Sequence, residues 1–137
     1  MSYIGKKIRD VMVPKGRLVY TTPDTTVKDA VKLMVKSNVG SILIVENDKL
    51  VGIFTERDLM KMIAEDKPVY TAIRDVMTKD PVSLKPDDPL SKAALLMSER
   101  GFRHVPIVDE EGNLVGIVSS RDISRVFYEA AEASFTE

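Results

Sequence analysis

Apolar and polar positions along this chain follow two periods, and each pattern comes twice. Val27, Ala30, Val31 and Met34 fall at i, i+3, i+4 and i+7, with Lys28, Asp29, Lys32 and Lys36 between them. That spacing predicts an amphipathic helix with one apolar face. Ala93, Leu96 and Met97 repeat the pattern downstream. Thr25 and Asp88 stand where N-caps belong, and Pro89 takes the favoured first helical position. Asn38 and Gly101 follow the two helices, and both residue types tolerate the left-handed conformation that closes a helix. Next come runs rich in β-branched residues, Val39 to Val45 and Phe102 to Val108, which predict strands. Glu46 to Lys49 and Asp109 to Asn113 read as hairpin turns into return strands, Leu50 to Phe54 and Leu114 to Val118. Thr55 and Ser119 open a last helix in each half, running to about Ala64 and about Ala133. Upstream, Ile4 to Met12 predicts a short helix ending before Pro14. Leu18 to Thr21 and Pro81 to Leu84 predict short strands, with Pro81 suited to a strand start or an edge.

The repetition extends to residue identity. Leu50-Val51-Gly52-Ile53-Phe54-Thr55-Glu56-Arg57-Asp58 returns as Leu114-Val115-Gly116-Ile117-Val118-Ser119-Ser120-Arg121-Asp122, 64 residues later. Ile8-Arg9-Asp10-Val11-Met12 recurs as Ile73-Arg74-Asp75-Val76-Met77, and Pro23-Asp24 as Pro86-Asp87. The small changes of offset fall in turn-like stretches, so both copies keep one core pattern. The expected organisation is two β-α-β-β-α repeats, 1–68 and 69–137, each with a short leading helix. Neither small sheet can bury both faces alone, so the repeats are expected to pack as one α/β module with pseudo-two-fold symmetry.

Composition narrows the function classes. The chain has 137 residues, 44% hydrophobic and 30% charged, with a net charge of −1. Its basic residues are dispersed, so nothing favours nucleic acid. The absence of cysteine excludes disulfides, thiolate chemistry and Cys-based metal sites. A single histidine leaves no nucleophile–base pair and no imidazole-rich metal site. There is no Walker loop and no Gly-x-Gly-x-x-Gly. No apolar run approaches a membrane span and no signal peptide is evident, so the expected compartment is the cytoplasm. Asp109-Glu110-Glu111 reads as a solvated turn rather than a cation site, and the methionines at 34, 60, 62 and 97 read as core filling.

The candidate chemistry lies in the repeated stretch. Thr55-x-x-Asp58 and Ser119-x-x-Asp122 sit at strand-to-helix turns. A helix N-terminus offers unpaired N–H groups and a positive dipole end, a ready anion site. An Asp carboxylate only accepts hydrogen bonds, which suits a vicinal diol such as ribose. The same spacing also fits a capping box, in which the acid bonds back to the N-cap amide.

In tandem, the apolar strand with Gly, the hydroxyl residue and the Asp three positions on resemble the CBS domain family. The Ile-Arg-Asp-Val-Met leader and Phe102-Arg103-His104-Val105-Pro106-Ile107-Val108-Asp109 resemble its leader and middle strand. The likeness covers roughly residues 8 to 127. It implies a non-enzymatic tandem module with two clefts for adenosine ligands: AMP, ADP, ATP or S-adenosylmethionine. Asp58 and Asp122 would hold ribose hydroxyls, with Thr55 and Ser119 beside ribose or phosphate. Residues near Val82 and Val105, Pro106 among them, would flank the adenine. Arg103 and His104 would contact phosphate. The first copy departs there, with Gly40 and Ser41, so unequal clefts are expected. Arg57 and Arg121 complete the candidate set, with a solvated helix face as their alternative. No cofactor is required on this reading, and the adenine nucleotide is the ligand of a stand-alone regulatory sensor. Output would pass through an effector protein or through a homodimer formed by an apolar face at Val126, Phe127 and Tyr128. The rival reading is an interaction module with empty clefts.

Overall fold

The structure, a computed structural model, describes residues 5–136, with side chains through Ala133. In chain order its elements are β1 (Val13–Pro14), β2 (Tyr20–Thr21), α1 (Val27–Ser37), β3 (Ser41–Glu46), β4 (Lys49–Thr55) and α2 (Glu56–Ala64). Then follow β5 (Thr78–Lys79), α3 (Leu90–Arg100), β6 (His104–Val108), β7 (Leu114–Ser119) and α4 (Ser120–Thr136). Single 3-10 turns form at Ile8–Asp10, Lys15–Arg17 and Ile73–Asp75. The chain makes two compact units. One is Val19–Pro81; the other joins the segment up to Leu18 with the segment from Val82 onward.

The Val19–Pro81 unit carries a sheet of order β2-β3-β4-β5. Strands β3 and β4 pair antiparallel, with Ser41 opposite Thr55 and Glu46 opposite Lys49. Asn47 and Asp48 make the turn at φ 52° and 66°, the left-handed pair that matches strand twist in a two-residue hairpin. The core gathers Val27, Ala30 and Met34 from α1 with Ile42, Ile44, Phe54, Met62 and Ile73. This is the helix face that the periodicity predicts. The cap differs by one residue. Thr26, not Thr25, accepts the Asp29 N–H at 3.2 Å; the Thr25 hydroxyl pairs with that of Thr21 at 2.6 Å.

The other unit orders its strands β1-β7-β6, all antiparallel. Ile8, Leu84, Leu90, Ala93, Val105, Ile107, Val118 and Val126 lie in its core. Val126 is 5% exposed, so it belongs to the core and not to an outward face with Phe127 and Tyr128. Helix α3 begins at Leu90 with Pro89 as its cap; the Asp88 carboxylate instead accepts from the Lys85 N–H at 2.8 Å. Asn38 and Gly101 close α1 and α3 at φ 53° and 72°, as expected.

The strand expected over Pro81 to Leu84 shrinks to one bridge between Leu84 and Ile107. Pro81 removes the backbone donor at the first of these positions. The leading helix is one 3-10 turn; the part of that expectation at Ile4 lies outside the described residues.

Each leader packs on the other copy of the repeat. The Ile8 N–H donates to Asp88 O and the Arg9 N–H to Pro86 O, both at 2.9 Å. In the other unit the Ile73 N–H donates to Thr25 O at 2.8 Å and the Arg74 N–H to Pro23 O at 3.2 Å. Arg9 pairs with Asp87 and Arg74 with Asp24. The leader methionines explain the repeated glycines. A Cβ at Gly116 would strike Met12, and one at Gly52 would strike Met77.

Candidate functional site

Two strand-to-helix junctions, one in each unit, carry the candidate chemistry. Thr55 ends β4 in extended conformation and caps α2. Asp58 Oδ2 accepts from the Thr55 N–H at 2.9 Å and from the Thr55 hydroxyl at 3.1 Å. The Asp58 N–H donates back to Thr55 Oγ1 at 3.3 Å. Ser119 and Asp122 repeat the arrangement at 2.8, 2.9 and 3.2 Å. The capping box is therefore present at both junctions, satisfying N–H groups that a helix start leaves orphaned.

One carboxylate oxygen does all of this capping, so the second oxygen of each Asp is not needed for it. Asp122 is only 6% exposed, and its Oδ1 accepts from the Arg125 Nη2–H at 3.2 Å. The counterpart of Arg125 is Lys61, which makes no ion pair with Asp58 among the described residues. The two aspartates thus differ in how far their outer oxygens are already occupied.

The middle strand is stitched to the same junction. The Ser120 N–H donates to Arg103 O at 2.8 Å, and His104 pairs across from Ser119. This brings Arg103, His104, Ser119 and Asp122 together. The Glu56 N–H donates to Gly40 O at 3.1 Å, and Ser41 pairs across from Thr55. The charge differs in sign. A Cβ at Gly40 would lie 3.2 Å from Glu56 Oε1, so a carboxylate covers the position where the other unit carries the exposed Arg103. At Glu56's own position the other unit has Ser120. Glu56 and Arg125 were not singled out from the sequence. The Glu56/Ser120 mismatch inside the repeated stretch was the available signal.

The remaining candidates lie as follows. Val82 is partly exposed and precedes the bridge that sets Leu84 beside β6. Pro106 is buried, and Val105 is wholly buried in the core, with no surface of its own open to a ligand. Arg57 and Arg121 are exposed on the first turns of α2 and α4. Among the described residues no group of His, Asp and Glu is arranged to hold a metal ion. Nor is any helix there long and apolar enough to cross a membrane.

The CBS domain family model matches residues 8–65 and again 73–129. The chain belongs to the CBS domain family. Solved CBS pairs share its fold. CBSX2 in complex with AMP superposes with a TM-score of 0.86 at 29% identity, covering 93% of this chain and 99% of that one. The CBS domain pair of protein MJ0100, in complex with 5'-methylthioadenosine and S-adenosyl-L-methionine, gives 0.83 at 31% identity, covering 91% and 98%. L-aspartate semialdehyde sulfurtransferase of Methanocaldococcus jannaschii is 38% identical over 74% of this chain, which spans 20% of that enzyme. Across the curated relatives it matches, the CBS pair spans from a fifth to about four-fifths of the length.

Proposed function

We propose that this CBS pair binds an adenine nucleotide and acts as a regulatory sensor rather than a catalyst. The observation that carries the reading is the division of labour in the two aspartates. Oδ2 caps the helix while Oδ1 is spare at Asp58 and held by an exposed arginine at Asp122. A ribose diol needs acceptors of this kind. The adenosine ligands of CBSX2 and MJ0100 support the class. Phosphate goes to the junction that carries Arg103, His104 and Ser119, at the positive dipole end of α4. Arg57, Arg121 and Val82 complete the accessible set, and the buried β6 residues Val105 and Pro106 shape it from the core. A second reading applies at Thr55 and Asp58. The Glu56 carboxylate over Gly40 repels phosphate and favours the cationic sulfonium and ammonium of an S-adenosylmethionine-type ligand. The signal passes on through an effector protein or a homodimer.

Calorimetric titration with AMP, ATP, adenosine, S-adenosylmethionine and 2'-deoxy-AMP tests this. Wild type should prefer AMP to its deoxy analogue. Asp122→Ala should bind AMP roughly 10- to 100-fold more weakly and lose that preference, since a charged hydrogen bond is worth about 1.5–3 kcal/mol. Equal binding of AMP and 2'-deoxy-AMP by wild type overturns the ribose assignment. Binding of none of the ligands overturns the nucleotide reading and leaves the interaction module.

A further inference from the structure

The two capping boxes are built alike, yet only one of their aspartates is covered. In both, Oδ2 accepts from the helix start. Asp122 Oδ1 also accepts from the Arg125 Nη2–H at 3.2 Å, and its side chain is left 9% exposed. Asp58 is half-buried. Lys61, which follows Asp58 by the same three residues, makes no ion pair among the described residues. The i,i+3 spacing sets Arg125 and Asp122 on one helix face. The arginine side chain is itself 58% exposed, so the core does not pin it there. Its pair with Asp122 is of the kind that solvent and salt loosen.

A ribose diol and a guanidinium make the same demand on that oxygen, since both donate hydrogen bonds to it. The Ser119 N–H and hydroxyl already occupy Oδ2. Little of the carboxylate is open while Arg125 lies over Oδ1, so a diol reaches it by taking the guanidinium's place. The displaced side chain has another carboxylate within reach. Glu129 follows Arg125 at i+4, lines the same surface hollow and makes no ion pair among the described residues.

We propose that Arg125 is an internal competitor for the ribose acceptor. It lies on Asp122 while the junction is empty and leaves when a diol binds, so its departure is subtracted from the affinity. The Asp58 junction has no such competitor. This rests on the adenosine reading above, and it adds a residue that opposes the ligand instead of holding it.

Calorimetric titration of the full chain with adenosine tests it, in an Asp58→Ala background so that the Ser119/Asp122 junction alone is read. Adenosine is uncharged, so losing the charge of Arg125 does not itself weaken binding. Arg125→Ala should tighten adenosine roughly two- to fivefold, the worth of an exposed ion pair. The gain should vanish when Asp122→Ala is added. Raising the salt concentration should also tighten adenosine binding, because screening loosens the pair, and Arg125→Ala should abolish that dependence. If this background binds no measurable adenosine, Arg125→Ala must make binding measurable. An affinity that Arg125→Ala leaves unchanged or weakens overturns the inference, as does a gain that persists without Asp122 or a salt dependence that survives the substitution. A wild type that binds neither adenosine nor AMP overturns the adenosine reading and this inference with it. Arg125 is exposed, and Arg125→Lys, which copies Lys61, should shift the affinity in the same direction. Should Asp58→Ala misfold, the same substitutions are read in the wild-type chain, where Asp122→Ala marks the affected junction.

Discussion

Gly116→Ala should destabilise the protein in a way that Gly52→Ala does not, although the two glycines are counterparts. A Cβ at Gly116 would lie 2.8 Å from Met12 Sδ and 2.8 Å from Val13 O. The sulfur is the end of a flexible side chain and can rotate away. The carbonyl cannot, because Val13 lies in β1 with its register fixed opposite Ile117. A Cβ at Gly52 meets only side-chain atoms of Met77 among its nearest neighbours. Overpacking costs about 1–3 kcal/mol, while replacing glycine by alanine in a strand returns roughly 0.5–1 kcal/mol. The deciding experiment repeats each glycine substitution in a methionine-deleted background and measures urea midpoints by circular dichroism. In Met77→Ala, Gly52→Ala should become neutral or stabilising by about 0.5 kcal/mol. In Met12→Ala, Gly116→Ala should still cost about 1 kcal/mol, since the carbonyl remains. Equal behaviour of the two glycines in the deleted backgrounds would refute the reasoning, and with it the assignment of the clash to the leader's backbone.

Without ligand, Asp58→Ala should lower stability by about 0.5–2 kcal/mol through loss of the cap. Asp122→Ala should cost more, since it also leaves Arg125 without its partner; differential scanning calorimetry of both variants checks the order. Arg103→Ala should weaken AMP binding more than adenosine binding, and equal losses would remove its phosphate role. Glu56→Ser, which copies Ser120, should raise the AMP stoichiometry by titration towards two sites per chain, whereas an unchanged stoichiometry would clear Glu56 of excluding phosphate. The hydrogen bond from Arg9 holds the Asp87 carboxyl below its ordinary range. A lowered folded-state value stabilises above the unfolded one and is lost as pH falls through the folded one. Asp87→Asn should therefore melt slightly below wild type near neutral pH, with the gap closing as pH drops below the usual aspartate range. Both partners are well exposed, so the gap is small; a gap that widens in acid contradicts the pairing.

The α/β class, the two repeats and most element positions are legible in the sequence because they depend on neighbours within a few residues. Val27, Ala30 and Met34 define a helix face by spacing alone. Asn38 and Gly101 end their helices by backbone conformation, and Asp58 and Asp122 reach back only three residues to their caps. That locality also explains the near misses. Thr25 and Thr26 are both acceptable caps, and residue type alone does not choose between them. Periodicity reports that a face is apolar but not what covers it. Val126, Phe127 and Tyr128 read alike along the chain, yet the first is core and the other two are exposed. Tertiary structure alone decided that each leader crosses to the other copy, setting Met12 on Gly116 and Met77 on Gly52. It alone laid the Glu56 carboxylate over Gly40, where the other unit presents Arg103. Such contacts join residues that share no local geometry, so the folded chain has to bring them together before their charges and shapes acquire meaning.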